Sequence, residues 1–208
     1  MFETSRLERA GFAARRSVVM ARDGIVASSQ PLAVEAGVSI LKKGGNAIDA
    51  AIATALALGV VEPMSTGIGG DAFFLYQRAA DGRIYGVNGS GRCPHGLTLE
   101  ELQRRGVRGT PQTGLVSVTV PGAIDAFVEV QERHGNLTFA EVLEPAIHYA
   151  SEGFPVSEII AKQWQGAVPL LSGYPSSAKN YLINGKAPQA GEVHRQPNLA
   201  ISLWSWHC

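Results

Sequence analysis

Residues 50–58, Ala50-Ala51-Ile52-Ala53-Thr54-Ala55-Leu56-Ala57-Leu58, present apolar side chains to every face of a helix. Such a helix has no face suited to water and must be covered on all sides. Asn46 is placed to cap it and Asp49 falls in its first turn, so it opens near residue 46. Its many alanines imply that neighbouring backbones approach closely, because small side chains hold little apart. The apolar run 47–61 is too short to span a bilayer and contains Asp49 and Thr54, which makes it a buried core helix.

The flanking segments supply partners for it. Gly24-Ile25-Val26-Ala27-Ser28 reads as a short buried strand, and Pro31 stands at the first turn of a following helix, where its missing N–H costs nothing. Leu32, Ala36, Ile40 and Leu41 recur at helical spacing, Lys42 and Lys43 suit the negative end of the dipole, and Gly44-Gly45 ends the helix. After Gly67-Ile68-Gly69-Gly70, residues 72–76 and 83–87 read as a hairpin turned at Asp81-Gly82. Thr98 with Glu101 and Thr138 with Glu141 are capping-box pairs that open helices closed by Gly106 and near Gly153. Residues 116–120 alternate as a strand, 123–134 read as a helix, and 157–171 as another; past Ser172 the pattern thins into turns. Interleaved helices and strands, with one hairpin and no regular crossover spacing, predict a mixed α+β layered fold.

Charge and cysteine content narrow the function. Across 208 residues, 18 Lys+Arg balance 18 Asp+Glu, which disfavours nucleic acid and anionic membrane as partners. Two cysteines far apart, Cys93 and Cys208, argue against a disulfide framework, and the histidines show no metal-ligand spacing, so neither metal nor cofactor is expected. Residues 1–22 contain no uninterrupted apolar region of the kind a secretory signal needs, which favours the cytoplasm.

Three local features invite a chemical reading. The glycine loop 67–70 precedes a strand rather than a helix, contrary to the dinucleotide-binding order, so its glycines are read as a tight turn onto a sheet. Cys93 lies two residues before His95, yet neighbours so close rarely orient as nucleophile and base, and Pro94 stiffens the link. In Asn88-Gly89-Ser90-Gly91-Arg92-Cys93-Pro94, Arg92 ends a strand among small residues, where its planar fork would meet a carboxylate bidentately. Taken alone, an Arg after a strand is more often a surface or ion-pair residue.

The order of segments carries more than any one of them. Gly24-Ile25-Val26-Ala27-Ser28, Gly44-Gly45-Asn46-Ala47-Ile48-Asp49-Ala50-Ala51, Val61-Glu62-Pro63, Gly67-Ile68-Gly69-Gly70, Gly91-Arg92-Cys93-Pro94, Val120-Pro121-Gly122, Leu143-Glu144-Pro145-Ala146-Ile147 and Glu152-Gly153-Phe154-Pro155-Val156 follow one another in a succession that resembles the γ-glutamyltranspeptidase family. The resemblance spans 24–200, after a charged leader, 1–23, and before a divergent tail, 201–208. It implies an N-terminal-nucleophile hydrolase fold, an αββα layered sandwich, of which this chain resembles the amino-terminal half. It further implies a precursor, or zymogen, that cuts itself into a large and a small subunit. The new amino-terminal Thr of the small subunit attacks the γ-glutamyl amide of glutathione-like substrates, with its own α-amine as base. By the same resemblance Arg92 is the large-subunit residue that binds the substrate α-carboxylate. The partners implied are a carboxy-terminal small subunit bearing the Thr and a γ-glutamyl small molecule.

Two departures qualify the activity. An acidic residue commonly follows the Arg in glutathione-cleaving members, whereas Cys93 follows Arg92 here, which leaves related acylases with other acyl substrates in play. A Thr-Thr-His-like or Thr-Ser-His-like nucleophile segment is not found in these 208 residues, and Trp204-Ser205-Trp206-His207-Cys208 stands where a continuing helix is expected, as after a truncation or an altered reading frame. The expectation is therefore a large-subunit-like chain with no catalytic residue of its own and no turnover by itself. A noncatalytic carboxylate-binding module built on Arg92, and a hydrolase built on Cys93, are the competing readings.

Overall fold

In the computed structural model, which describes residues 18–109 and 111–207, the apolar helix is the centre of the packing. It runs Ala47–Val61 and will be called α2; the helix before it, Pro31–Lys42, is α1. Asn46 Oδ1 accepts the N–H groups of Ile48 and Asp49, and Asp49 Oδ2 accepts that of Asn46 at 2.8 Å, a complete capping box. Helix α1 opens with Pro31 in its first turn under the side chain of Gln30, and Gly44, at φ +95°, follows its end. The two helices meet at Gly37: a Cβ there would stand 2.2 Å from Thr54 Oγ1 and 3.1 Å from the Ala50 carbonyl oxygen. The small residues of both helices thus set the close approach their sequence predicts.

Two further helices cover α2. Helix α4, Ala123–His134, buries Ala123, Ala126, Phe127 and Val130, and helix α5, Phe139–Glu152, buries Val142, Leu143, Ala146, Ile147 and Ala150. Ile52, Leu56, Val60, Val61, Val142 and Leu143 are all at or below 1% exposure, and each such side chain contributes about 1.5–3 kcal/mol of burial free energy. The cover is incomplete. Ala47 and Ala51 are exposed and Ala55 and Leu58 half-buried, so one stripe of α2 is only partly covered by the described residues.

The hairpin forms as predicted. Strand β1, Ala72–Gln77, pairs antiparallel with β2, Ile84–Gly89, and Gly82 takes φ +66° in the turn. Its inner face, Phe74, Tyr76, Tyr85 and Val87, lies on α4: the Phe74 and Phe127 rings meet edge to face at 5.6 Å, and Tyr76 packs 4.7 Å from His134. Its outer face carries Phe73, Leu75 and Ile84 at 68, 83 and 72% exposure. The short helix α3, Leu99–Arg104, follows under its Thr98 cap.

The predicted strands 24–28 and 116–120 do not form. Residues 24–28 join no strand among the described residues, with Ile25 63% exposed, although Ser29 Oγ anchors their end by donating to Glu62 Oε2 at 2.7 Å. Residues Leu115–Ser117 make a 3-10 turn instead, and Val118 and Val120 are half exposed. Strand propensity without a partner strand yields extended chain, because the ladder hydrogen bonds are what make a sheet. In the other direction, the region past Ser172 holds more helix than predicted. After α6, Glu158–Ser172, come α7, Pro175–Tyr181, and α8, Pro197–Trp204, with a two-residue ladder between β3, Phe154–Pro155, and β4, Val193–His194. Helix α8 packs on α5 and runs into the segment read as a tail; Gln196 donates its N–H to the Ala150 carbonyl and its Nε2 to that of Val60. Among the described residues no helix is long and apolar enough to cross a membrane.

Candidate functional site

Three segments that are distant in sequence meet where β2 ends. Gly122 and Ala123, at the start of α4, both donate their N–H groups to the Gly70 carbonyl, at 3.1 and 3.0 Å. Gly89 and Gly122 then lie against each other so tightly that a Cβ on Gly122 would stand 2.5 Å from the Gly89 carbonyl oxygen, and one on Gly89 would stand 2.4 Å from Ala126 Cβ. The loop after Gly67, the end of β2 and the segment before α4 are therefore joined backbone to backbone.

Arg92 emerges from this junction. On its amino-terminal side, Ser90 donates its N–H to Asn88 Oδ1 at 2.9 Å and Gly91 donates its own to Asp71 Oδ1 at 2.8 Å. On its carboxy-terminal side, the Arg92 carbonyl accepts the N–H of Val120 at 2.9 Å. The end of the segment 116–120, read as a strand, is thus a brace for the arginine loop. The Arg92 side chain is exposed, and among the described residues its guanidinium has no hydrogen bond or ion pair. A cation on a fixed backbone with its planar fork open to solvent suits a bidentate carboxylate. Three other exposed arginines are paired: Arg78 with Asp81, and Arg104 and Arg105 with Glu101 at 2.7 and 2.6 Å. Those two pairs hold the Glu101 carboxyl well below its usual range, at about 2.

Asp71 was not singled out in the sequence, and its role depends on a contact across 20 residues. The signal that would have pointed to it is a carboxylate directly after the glycine loop, at the start of a strand whose partner ends in the arginine motif. Of the loop glycines, Gly70 makes the junction, while no heavy atom lies within 4 Å of where a Cβ on Gly67 or Gly69 would stand.

Cys93 and His95 are not brought together. Both are exposed, and the Cys93 thiol lies 3.4 Å from the Leu97 carbonyl oxygen and 3.7 Å from that of Pro94, with no imidazole against it. Among the described residues no three His, Cys, Asp or Glu side chains are grouped to hold a metal ion.

Two open hollows lie along α2, the smaller of them reaching Asp71 at the junction. One, of about 370 Å³, lies between Ala51 and Ala55 of α2, residues 66–68 and Phe73 and Leu75 of β1; the other, of about 680 Å³, lies between the unpaired segment 24–28 and α2. The partly covered stripe of α2, the outer face of the hairpin and the unpaired segment belong to these hollows.

Comparison with known proteins gives one consistent answer. The family model described as gamma-glutamyltranspeptidase matches residues 33–205. The glutathione hydrolase-like YwrD proenzyme of Bacillus subtilis is 42% identical over 182 residues, covering 86% of this chain and 34% of the relative. Among solved structures, cephalosporin acylase from Bacillus halodurans superposes with a TM-score of 0.89 at 46% identity, over 95% of this chain and 38% of that one. Helicobacter pylori gamma-glutamyltranspeptidase gives a TM-score of 0.85 at 28% identity, over 92% of this chain and 56% of that one. The chain spans about a third of the length of the curated relatives it matches.

Proposed function

The chain belongs to the γ-glutamyltranspeptidase family, and we propose that it acts as the large-subunit-like part of a γ-glutamyl acyltransferase or hydrolase, with Arg92 binding the substrate carboxylate. Its fold is the amino-terminal part of the N-terminal-nucleophile hydrolase sandwich, represented among the described residues by two small two-stranded sheets and the helices around them. The observation that carries the reading is the Arg92 guanidinium, free among the described residues on a loop whose backbone is fixed on both sides. A carboxylate held there bidentately would leave the other end of a γ-glutamyl group to be presented to a nucleophile.

The nucleophile in this reading comes from a carboxy-terminal portion. Its amino-terminal Thr would lose its hydroxyl proton to its own α-amine and attack the amide carbon; that proton would pass to the departing amine as the C–N bond breaks, leaving an acyl-enzyme that water or an amine resolves. The partly covered stripe of α2, the apolar outer face of the hairpin and the unpaired strand-like segment 24–28 support this arrangement, because contiguous exposed apolar surface marks an interaction site.

The test is co-expression of this chain with the carboxy-terminal portion of the Bacillus halodurans acylase, followed by assay on γ-glutamyl-p-nitroanilide. Turnover by the assembly, none by this chain alone, and a raised KM in Arg92→Ala are expected. Robust turnover by the isolated chain, or an Arg92→Ala assembly with unchanged KM, defeats the reading.

A second reading keeps the chemistry and changes the acyl group. Cys93 follows Arg92 where an acidic residue is expected, and the acylase structure is 46% identical to this chain. In that case the assembly would favour an acyl substrate ending in a carboxylate but lacking the α-amine. The ratio of kcat/KM for glutaryl and γ-glutamyl anilides decides between them.

A further inference from the structure

We propose that Asp71 is a positioning residue for Arg92, acting as a clamp that fixes the direction in which the guanidinium leaves the backbone. The inference rests on the reading of Arg92 as the carboxylate anchor. Asp71 is the residue directly before β1, and its Oδ1 accepts the Gly91 N–H at 2.8 Å and the Thr119 hydroxyl at 3.4 Å. One carboxylate oxygen therefore touches both the loop that presents Arg92 and the segment that braces it from the other side.

The clamp is specific to this backbone path. A Cβ on Gly91 would stand 2.2 Å from the Val120 carbonyl oxygen and 2.4 Å from Thr119 Oγ1, so the loop and its brace are in direct contact at the residue preceding the arginine. With Val120 N–H on the Arg92 carbonyl and Asp71 on the Gly91 N–H, the Ser90–Gly91 and Arg92–Cys93 peptides, one on each side of the Gly91–Arg92 unit, are both hydrogen-bonded. A hydrogen bond from an amide to a carboxylate is roughly twice as strong as one between neutral groups, which suits an exposed loop where water competes.

A carboxylate so close to an anion-binding arginine would oppose an anionic ligand if its charge were the point of its presence. The hydrogen bonds are the point instead, and that distinguishes the two substitutions at this position. Asp71→Asn keeps an acceptor oxygen and removes the charge; Asp71→Ala removes both.

The measurement uses the full chain and its assembly with the carboxy-terminal portion of the Bacillus halodurans acylase. In the chain, hydrogen exchange at the Gly91 amide should accelerate tenfold or more in Asp71→Ala, about the factor of losing one charge-assisted bond, and stay near wild type in Asp71→Asn. In the assembly, Asp71→Ala should raise KM for γ-glutamyl-p-nitroanilide by about tenfold, the scale of a small misplacement. It should leave KM for 4-aminobutyryl-p-nitroanilide, which lacks the α-carboxylate, unchanged, and Asp71→Asn should restore most of the loss. A general loss of structure would raise both. Thr119→Val, which removes only the weaker contact, should give a smaller shift in the same direction and serves if Asp71→Ala does not fold. Unchanged Gly91 exchange in Asp71→Ala, equal effects of the two Asp71 variants, or equal effects on the two anilides overturns the clamp. An assembly that turns over neither anilide overturns the functional reading instead, and the exchange rates still decide the clamp.

Discussion

Asn136 donates its backbone N–H to Asp49 Oδ2 at 2.9 Å across 87 residues of sequence. The same oxygen caps α2 through Asn46, whose Nδ2 in turn donates to the His134 carbonyl at 2.6 Å. One fully buried carboxylate therefore ties the start of the central helix to the turn between α4 and α5. The aspartate and the asparagine act as one unit, and neither the turn nor the cap is independently satisfied.

Asp49→Ala should destabilise the chain by about 3 kcal/mol, because two part-buried N–H groups lose their carboxylate acceptor at once. Urea melts read by near-UV and far-UV signals should shift together. A loss comparable to that of an ordinary helix cap, about 1 kcal/mol, would show that the 87-residue bridge contributes nothing.

Asp49 also shows where the sequence was legible. The capping box around it is a local pattern, readable as Asn46 followed three residues later by an acid, and α1, α2, α3, α4, α5 and the hairpin all follow from signals of that kind. What Asp49 does beyond the cap is nonlocal and was not. The same division holds at the site: Arg92 was found by its small neighbours and by the order of motifs, whereas Asp71 matters only because β1 and β2 pair in a register that sets Ala72 opposite Gly89. Residues 24–28 and 116–120 have the composition of strands, but composition does not supply a neighbour to pair with. Helices α7 and α8 open on Pro175 and Pro197, the signal that located α1 at Pro31, and were missed because their apolar periodicity is short.

Gly91→Ala should disable carboxylate recognition without dismantling the core. The added Cβ would be 2.2 Å from the Val120 carbonyl oxygen, and backbone must shift to admit it, at a cost of about 1–3 kcal/mol. In the assembly KM should rise at least as far as in Arg92→Ala, while helical content stays at the wild-type level. An unchanged KM would mean that Arg92 keeps its pose despite the displaced backbone.

His194 makes the chain sensitive to acid. Its imidazole is 5% exposed, its Nε2 has no hydrogen-bond partner among the described residues, and Trp164 and Phe154 pack against it at 4.8 and 6.0 Å. Burial pushes its pKa down from the usual value near 6.5, with Glu192 pulling weakly the other way. The unfolded chain therefore takes up the proton first. The contribution is complete above about pH 6.5 and is lost as the pH falls from there toward the lower native pKa. His194→Gln should flatten the fall in urea midpoint between pH 6.5 and 5; a slope identical to wild type in that window would remove His194 as its cause.

The outer face of the hairpin separates assembly from folding. Phe73 and Leu75 are 68 and 83% exposed, whereas Phe74 and Tyr76, one residue on, point the opposite way onto α4. Because alternate residues of a strand face opposite sides, a double substitution Phe73→Ser with Leu75→Ser removes apolar surface from solvent and leaves the packed face intact. Surface changes of this kind move stability by about 0.5 kcal/mol or less, so the variant should melt close to wild type and stay monomeric at higher concentration. Its co-purification with the carboxy-terminal portion of the Bacillus halodurans acylase should fail, since the assembly loses two large apolar anchors at once. Phe74→Ser should do the reverse, lowering the melting point through the lost Phe127 contact. Undiminished assembly and turnover in the double variant would place the covering portion elsewhere, over the alanine stripe of α2 or along residues 24–28.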